Sequence, residues 1–137
     1  MDKNVIIRKL KLVDLPSVIK LNKSASKKER LGYHFILKNI FVLFFSYLFK
    51  KIRFFVVEYQ VNLIGYAFIT HFKKNNLVIM VKEPYQGRGL GKRLMNSLLR
   101  GQKDTYLTVE KSNEIAINLY KKMGFEVCKE ILMMKKP

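Results

Sequence analysis

The hydrophobic positions of this chain change period at one place. Residues 54–58, 63–70 and 77–82 are strand-like runs rich in β-branched and aromatic residues, the first two joined through Tyr59-Gln60-Val61-Asn62 as a hairpin and the third returning after a turn at 73–76. Then the spacing becomes helical. Leu90, Leu94, Met95, Leu98 and Leu99 form one stripe, while Lys92, Asn96 and Arg100 point away from it. Between the two periods lies Gln86-Gly87-Arg88-Gly89-Leu90-Gly91.

The flanking segments extend this order. Residues 5–10 alternate as a first strand, and Asp14 is expected to cap a helix with Pro16 in its first turn and Leu15, Val18, Ile19 and Asn22 along one face. Residues 23–30 read as a polar surface loop. Residues 35–49 are apolar on nearly every side, too short to span a bilayer, and closed by Lys50-Lys51. They predict a core helix packed on a sheet, with a pocket wall, a dimer contact or an interfacial membrane helix as alternatives. After the central helix, residues 105–109 predict a strand. Ser112 or Asn113 caps a helix reaching about Met123, which Gly124 ends, and residues 125–134 close as a strand or strand pair. The sum is an α+β domain over residues 1–137: a mixed central β-sheet flanked by helices, in the order β-α-α-β-β-β-α-β-α-β.

Composition narrows the partners. A chain of 137 residues buries about two thirds of its unfolded surface as one domain, and ten Phe with seven Tyr argue for a packed core. The 27 Lys and Arg against 10 Asp and Glu give a formal charge of +17, a field that attracts anions. Nucleic acid is one candidate, but the lysines are scattered and no nucleic-acid motif accompanies them, so a small anion in a defined pocket is favoured. Cys128 is the only cysteine, no metal-ligand cluster exists, and the N-terminus lacks a signal-peptide core; a cytoplasmic protein, monomer or homodimer, is expected.

The glycine turn is suited to a phosphate. Without Cβ atoms, backbone N–H groups approach an anion closely, and the N–H groups and dipole of the following helix favour it by roughly 0.3 to 1 kcal/mol. Arg88, Lys92 and Arg93 add charge. The spacing Gly87-x-Gly89-x-Gly91 is neither the dinucleotide fingerprint nor the P-loop.

A second motif follows the next predicted strand: Asn113, Ala116, Leu119, Tyr120, Gly124 and Phe125 in the pattern N-x-x-A-x-x-L-Y-x-x-x-G-F. Together with Val81, Gln86, Gly89 and Gly91 it resembles the GNAT superfamily of acetyl-CoA-dependent N-acetyltransferases, over a region from Phe54 to the C-terminus. The resemblance implies acetyl-CoA as donor. Backbone groups of Ile79, Met80 and Val81 would bind the pantetheine arm, and the turn of Gln86, Gly87, Arg88, Gly89, Leu90, Gly91 and Lys92 the pyrophosphate. Asn113 and Tyr120 would contact the cofactor. A β-bulge in the strand of Ile79–Val81 would splay it from residues 105–109. A neutral amine would attack the thioester directly, with the Val81 N–H as oxyanion donor and Tyr120, at its ordinary pKa of about 10, as acid for a thiolate of pKa about 8.5.

Two departures stand out. Related N-terminal acetyltransferases carry Glu in an L-E-V triplet where this chain has Leu107-Thr108-Val109, so the general base is open among Glu58, Glu83, Glu110 and His71 through water, or an acceptor that arrives partly neutral. Pro84 also lies two residues before Gln86 rather than three. The acceptor is left unidentified, with a protein N-terminus or a small amine-bearing metabolite as the candidates; the alternative function is a basic nucleic-acid-binding protein in which the fold binds coenzyme A without a major catalytic role.

Overall fold

In the computed structural model the described residues are 4–23, 52–71 and 74–130. The alternating and β-branched runs become strands β1 (Val5–Lys9), β2 (Ile52–Tyr59), β3 (Asn62–His71), β4 (Asn75–Val81) and β5 (Thr105–Tyr106). The periodic segments become helices α1 (Leu15–Lys23), α2 (Leu90–Leu99) and α3 (Glu114–Lys122). One sheet holds all five strands in chain order; β1 to β4 are antiparallel and β5 runs parallel to β4. This is the mixed sheet of an α+β fold. The predicted helix at 35–49 and residues 24–30 of the predicted loop lie outside the described residues. Of the predicted final strand, residues 125–130 form no strand and the remainder lies outside the described residues.

The sheet is covered on both faces, which explains why β2 and β3 read as near-continuous apolar runs. On one face Phe54, Val56, Tyr66, Phe68 and Met80 pack with Val18 and Leu21 of α1. On the other, Val57, Ala67, Ile69 and Leu77 meet Leu90, Leu94, Met95 and Leu98 of α2, with Leu119, Tyr120 and Phe125 at the margin. The helical stripe of α2 is therefore buried as its period predicts. Arg53 of β2 donates from Nη1 to the Arg100 and Leu98 carbonyls at 2.7 and 3.3 Å, placing positive charge at the C-terminus of α2 where the helix dipole favours it.

At α1 the structure differs from expectation. Asp14 does not cap the helix; it closes a 3-10 turn over Leu12–Asp14 and accepts the Lys11 N–H at 2.7 Å. Its carboxylate is gripped by Arg8 through both terminal nitrogens, at 2.7 and 2.9 Å, and Arg8 also donates from Nε to Glu58 at 2.8 Å. The Arg8 hydrogen bonds hold the Asp14 carboxyl below its ordinary range, against the opposing effect of burial. The buried face of α1 is Val18, Leu21 and Asn22, and Asn22 Oδ1 accepts from the Tyr66 hydroxyl at 2.8 Å beneath it.

The expected bulge is also placed differently. The β3 and β4 register runs unbroken from Gly65↔Val81 to His71↔Asn75, so β4 is regular. The irregularity lies between β2 and β3, where Val57 pairs with Gly65 and Glu58 with Leu63, leaving Ile64 as the extra residue.

The hairpin between β2 and β3 turns through Gln60 and Val61, both at positive φ (46° and 66°). That geometry suits the right-handed strand twist but is strained for a β-branched residue, and Val61 is 90% exposed with little packing in return. Val61→Gly is expected to raise the unfolding free energy by about 1 kcal/mol, read from the denaturant midpoint at unchanged m-value.

Candidate active site

The site begins where β4 and β5 part. They share two register pairs, Asn75↔Thr105 and Asn76↔Tyr106; beyond Tyr106 the chain leaves the ladder. The predicted strand at 105–109 is shortened to two residues for this reason. The gap is a cavity of about 670 Å³, walled by residues 76–81 on one side and 107–110 on the other, with the glycine turn at its end and α3 alongside. That volume suits a medium-sized organic ligand.

The ladder fixes what β4 offers to the cavity. The Lys82 N–H reaches the Ile64 carbonyl at 2.8 Å, which makes Val81 and Gly65 a pair without mutual hydrogen bonds and Met80 with Tyr66 the bonded one. The backbone groups of Ile79 and Val81 consequently turn away from β3, toward the gap. Met80 lines the cavity, but its N–H and C=O face β3. The Val81 carbonyl accepts from Gln86 Nε2 at 2.8 Å, tying the end of the strand to the turn that follows.

In that turn, a 3-10 element at Glu83–Tyr85 containing Pro84 leads to Gly87 and Gly89, at φ 73° and 74°. Apart from the adjoining residues of the chain, no atom of the described residues lies within 4 Å of where a Cβ would stand on either, so these glycines answer a left-handed backbone beside open space. Gly91 serves another purpose: a Cβ there would lie 2.9 Å from Leu119 Cδ2, so its lack of a side chain lets α2 start against α3. No side chain caps α2, whose first intrahelical bond runs from Arg93 N–H to the Gly89 carbonyl at 3.1 Å. The preceding N–H groups of the first turn have no intrahelical partner. Gln86, Gly87, Gly89, Leu90, Gly91 and Lys92 line the cavity. Arg88 is not in its wall; its guanidinium stacks over the Tyr85 ring at 5.4 Å from the centroid.

Helix α3 supplies the remaining side. Asn113 is its N-cap, accepting the Ala116 N–H at 3.2 Å, so of the two predicted caps it is Asn113 that acts. Asn113 and Tyr120 both line the cavity. The Tyr120 ring packs against Phe125 at 6.1 Å, and the Tyr120 carbonyl accepts the Met123 and Phe125 N–H groups at 3.0 Å each. Burial pushes the Tyr120 hydroxyl up to about 12, well above the ordinary phenol value assumed from sequence.

Of the four groups considered as a base, the structure brings one to the cavity. Glu110 is in its wall. Glu58 is bound by Arg8, Glu83 lies in the 3-10 turn outside the wall, and His71 is at the far end of β3 with Nδ1 2.8 Å from Asn75 Oδ1. Sequence reasoning did not single out Tyr85, Leu107, Ile115 or Asn118 as wall residues. Helical spacing from Asn113 could have suggested Ala116, three residues on, and Ile115 and Asn118 are themselves three apart on that helix; nothing local marks Tyr85.

The raised Tyr120 value links stability to pH. Below about pH 10 both folded and unfolded chains carry the phenolic proton; from about 10 to about 12 the unfolded chain has lost it while the folded one keeps it. Stability is thus expected to fall as pH rises through that window, and Tyr120→Phe to fall less steeply there. Tyrosinate absorbance against pH, alongside denaturant melts of both proteins, checks this.

A model of the acetyltransferase (GNAT) domain family matches residues 50–127. The N-alpha-acetyltransferase of Sulfurisphaera tokodaii is 32% identical over 136 residues, covering 90% of this chain and 81% of that protein. The N-alpha-acetyltransferase of Sulfolobus acidocaldarius is 30% identical over 145 residues, covering 96% and 84%. Among solved structures, the PaiA N-acetyltransferase of Thermoplasma acidophilum in complex with coenzyme A has the same fold, with a TM-score of 0.70 at 20% identity, covering 93% of this chain and 91% of that one. The chain belongs to the GNAT family of acetyltransferases and is an acyltransferase whose acetyl donor is acetyl-CoA.

Proposed function

We propose that this enzyme acetylates free α-amino groups at protein N-termini, by direct attack of the amine on the thioester. One observation carries the reading: β4 and β5 part after Asn76 and Tyr106, so that farther along β4 the Val81 N–H faces a cavity that ends in the glycine turn. The two archaeal relatives, named N-alpha-acetyltransferases and matched over most of both chains, support the choice of acceptor.

The residues present fit the donor. Ile79 offers a cleft-facing N–H and C=O and Val81 a cleft-facing N–H, its carbonyl being held by Gln86 Nε2; these are the complement of an amide-bearing arm lying along β4 as an added strand. The Gly87 and Gly89 turn with the start of α2 suits the pyrophosphate, with Lys92 in the wall and Arg88 just outside it. Asn113 keeps its amide NH2 for the same ligand, its oxygen being used in the cap. When bound, the donor supplies an activated acetyl thioester. The Val81 N–H then faces the carbonyl oxygen as negative charge develops on it, a contribution that costs no reorganisation because the strand already holds it. Tyr120, at about 12, is a weaker acid than a thiol of about 8.5 and does not surrender its proton outright. It donates a hydrogen bond to the sulfur and relays a proton arriving from the amine.

An α-amine, with a pKa of about 7.7 to 8.0, is neutral far more often near pH 7 than a lysine at about 10.4. Thiol release is therefore expected to be about 100-fold faster, per kcat/KM, for a lysine-free peptide with a free N-terminus than for an N-terminally blocked peptide bearing lysine. Preference for the lysine peptide, or turnover of small amines alone, would move the acceptor. Stabilisation by DNA or RNA with no thermal shift from acetyl-CoA would contradict the reading altogether.

A further inference from the structure

We propose that Glu110 accepts the proton of the acceptor amine, standing in for the carboxylate absent at Thr108; this rests on the acetyltransferase reading above. An ammonium has no lone pair, so attack requires a proton acceptor within reach of the cavity. The titratable groups in the cavity wall are Tyr85 of the 3-10 turn, Lys92 of α2, Tyr120 and Lys122 of α3, and Glu110. Lysines are cations near neutrality, and Tyr120 holds its proton. Tyr85 is a phenol packed between the Tyr59 ring and the Arg88 guanidinium. Glu110 is the one carboxylate among the described residues of the wall.

Its position is built. Residues 107–110 continue β5 beyond the ladder and form the cavity side opposite β4. Thr108 and Glu110 both lie in this wall, so a carboxylate at 110 stands two residues along the same side of the cavity from the one absent at 108. The Glu110 carbonyl accepts the Asn113 N–H at 2.9 Å, and Asn113 in turn caps α3, so the backbone is fixed at both ends of this turn. Glu110 is half-buried, and no ion pair engages its carboxylate among the described residues. The neighbouring Lys111 is exposed and lies 3.8 Å from Glu130 instead.

The step balances. The ammonium gives one proton to the Glu110 carboxylate, directly or through one water, and Glu110 returns it to solvent. The nitrogen lone pair forms the C–N bond as the carbonyl pair moves to oxygen. When the C–S bond breaks its electron pair leaves on sulfur, and the second proton lost by nitrogen reaches that sulfur through the Tyr120 hydroxyl. The net products are an amide, a thiol and one released proton.

The test is Glu110→Gln in the full chain, assayed by thiol release with acetyl-CoA and a free-N-terminus peptide across pH, with acetyl-CoA affinity measured by calorimetry. The expected loss in kcat/KM near pH 7 is about 100-fold or more, shrinking as pH rises toward the amine's own pKa. Acetyl-CoA affinity should stay within about twofold, a result that mere misfolding would not give. The double variant Thr108→Glu with Glu110→Gln should recover about tenfold of the loss. Glu110→Gln with wild-type kcat/KM and pH profile would overturn the assignment, as would a deficit that does not change with pH. A wild-type protein that binds acetyl-CoA yet acetylates no amine fails differently, contradicting the acetyltransferase reading itself.

Discussion

Inside a sheet, a strand usually gives its backbone groups to neighbours on both sides. Here β4 has β3 along its whole length but β5 for only two pairs, so Ile79 and Val81 keep N–H and C=O groups that no strand takes. Unpaired backbone groups in a protein interior are costly unless something else satisfies them. Gln86 Nε2 does so for the Val81 carbonyl, and under the proposed function the amides of the donor's arm would do so for the N–H groups. The cavity is therefore a consequence of an interrupted ladder.

Other parts of the fold hold that interruption open. Gln86 ties the turn to the Val81 carbonyl, fixing the end of β4. Gly91 lets α2 begin against Leu119, which keeps α3, and with it Asn113 and Tyr120, beside the cavity. The two aromatic and aliphatic cores on either face of β2 and β3 make the central strands a rigid support. On the far edge, Arg8 gathers Asp14 and Glu58, and with Asp14 engaged in the turn before α1 the pair anchors that helix to the sheet. Removing one partner would leave a partly buried charge uncompensated, which costs more than the pair itself contributes.

Much of this was readable from residue order. The change of period from 2 to 3.6 at Gly87–Gly91 located the end of β4 and the start of α2, because both periods are set by local geometry. The Asn113 to Phe125 pattern located α3 and its cap. Long-range facts were not readable in the same way. Nothing local in Thr105–Val109 says that pairing stops at Tyr106, since every residue there is a good strand former; the stop is a property of two strands together. The bulge was assigned to β4 and lies at Ile64, for the same reason. Asp14 was read as a helix cap because that is its local role most often, while Arg8, six residues away, claims its carboxylate. Tyr120 was read with an ordinary phenol, and burial at the margin of the core between the sheet and α2 moved it.

The central proposal, that Ile79 and Val81 present N–H groups to the donor while Met80 gives its own to β3, is tested most directly by amide hydrogen exchange resolved at single residues. The account predicts slow exchange at Met80 with or without ligand, fast exchange at Ile79 and Val81 in the free protein, and strong slowing at those two when acetyl-CoA is added. Equal protection of all three in the free protein, or no slowing at Ile79 and Val81 on saturation with acetyl-CoA, would contradict it.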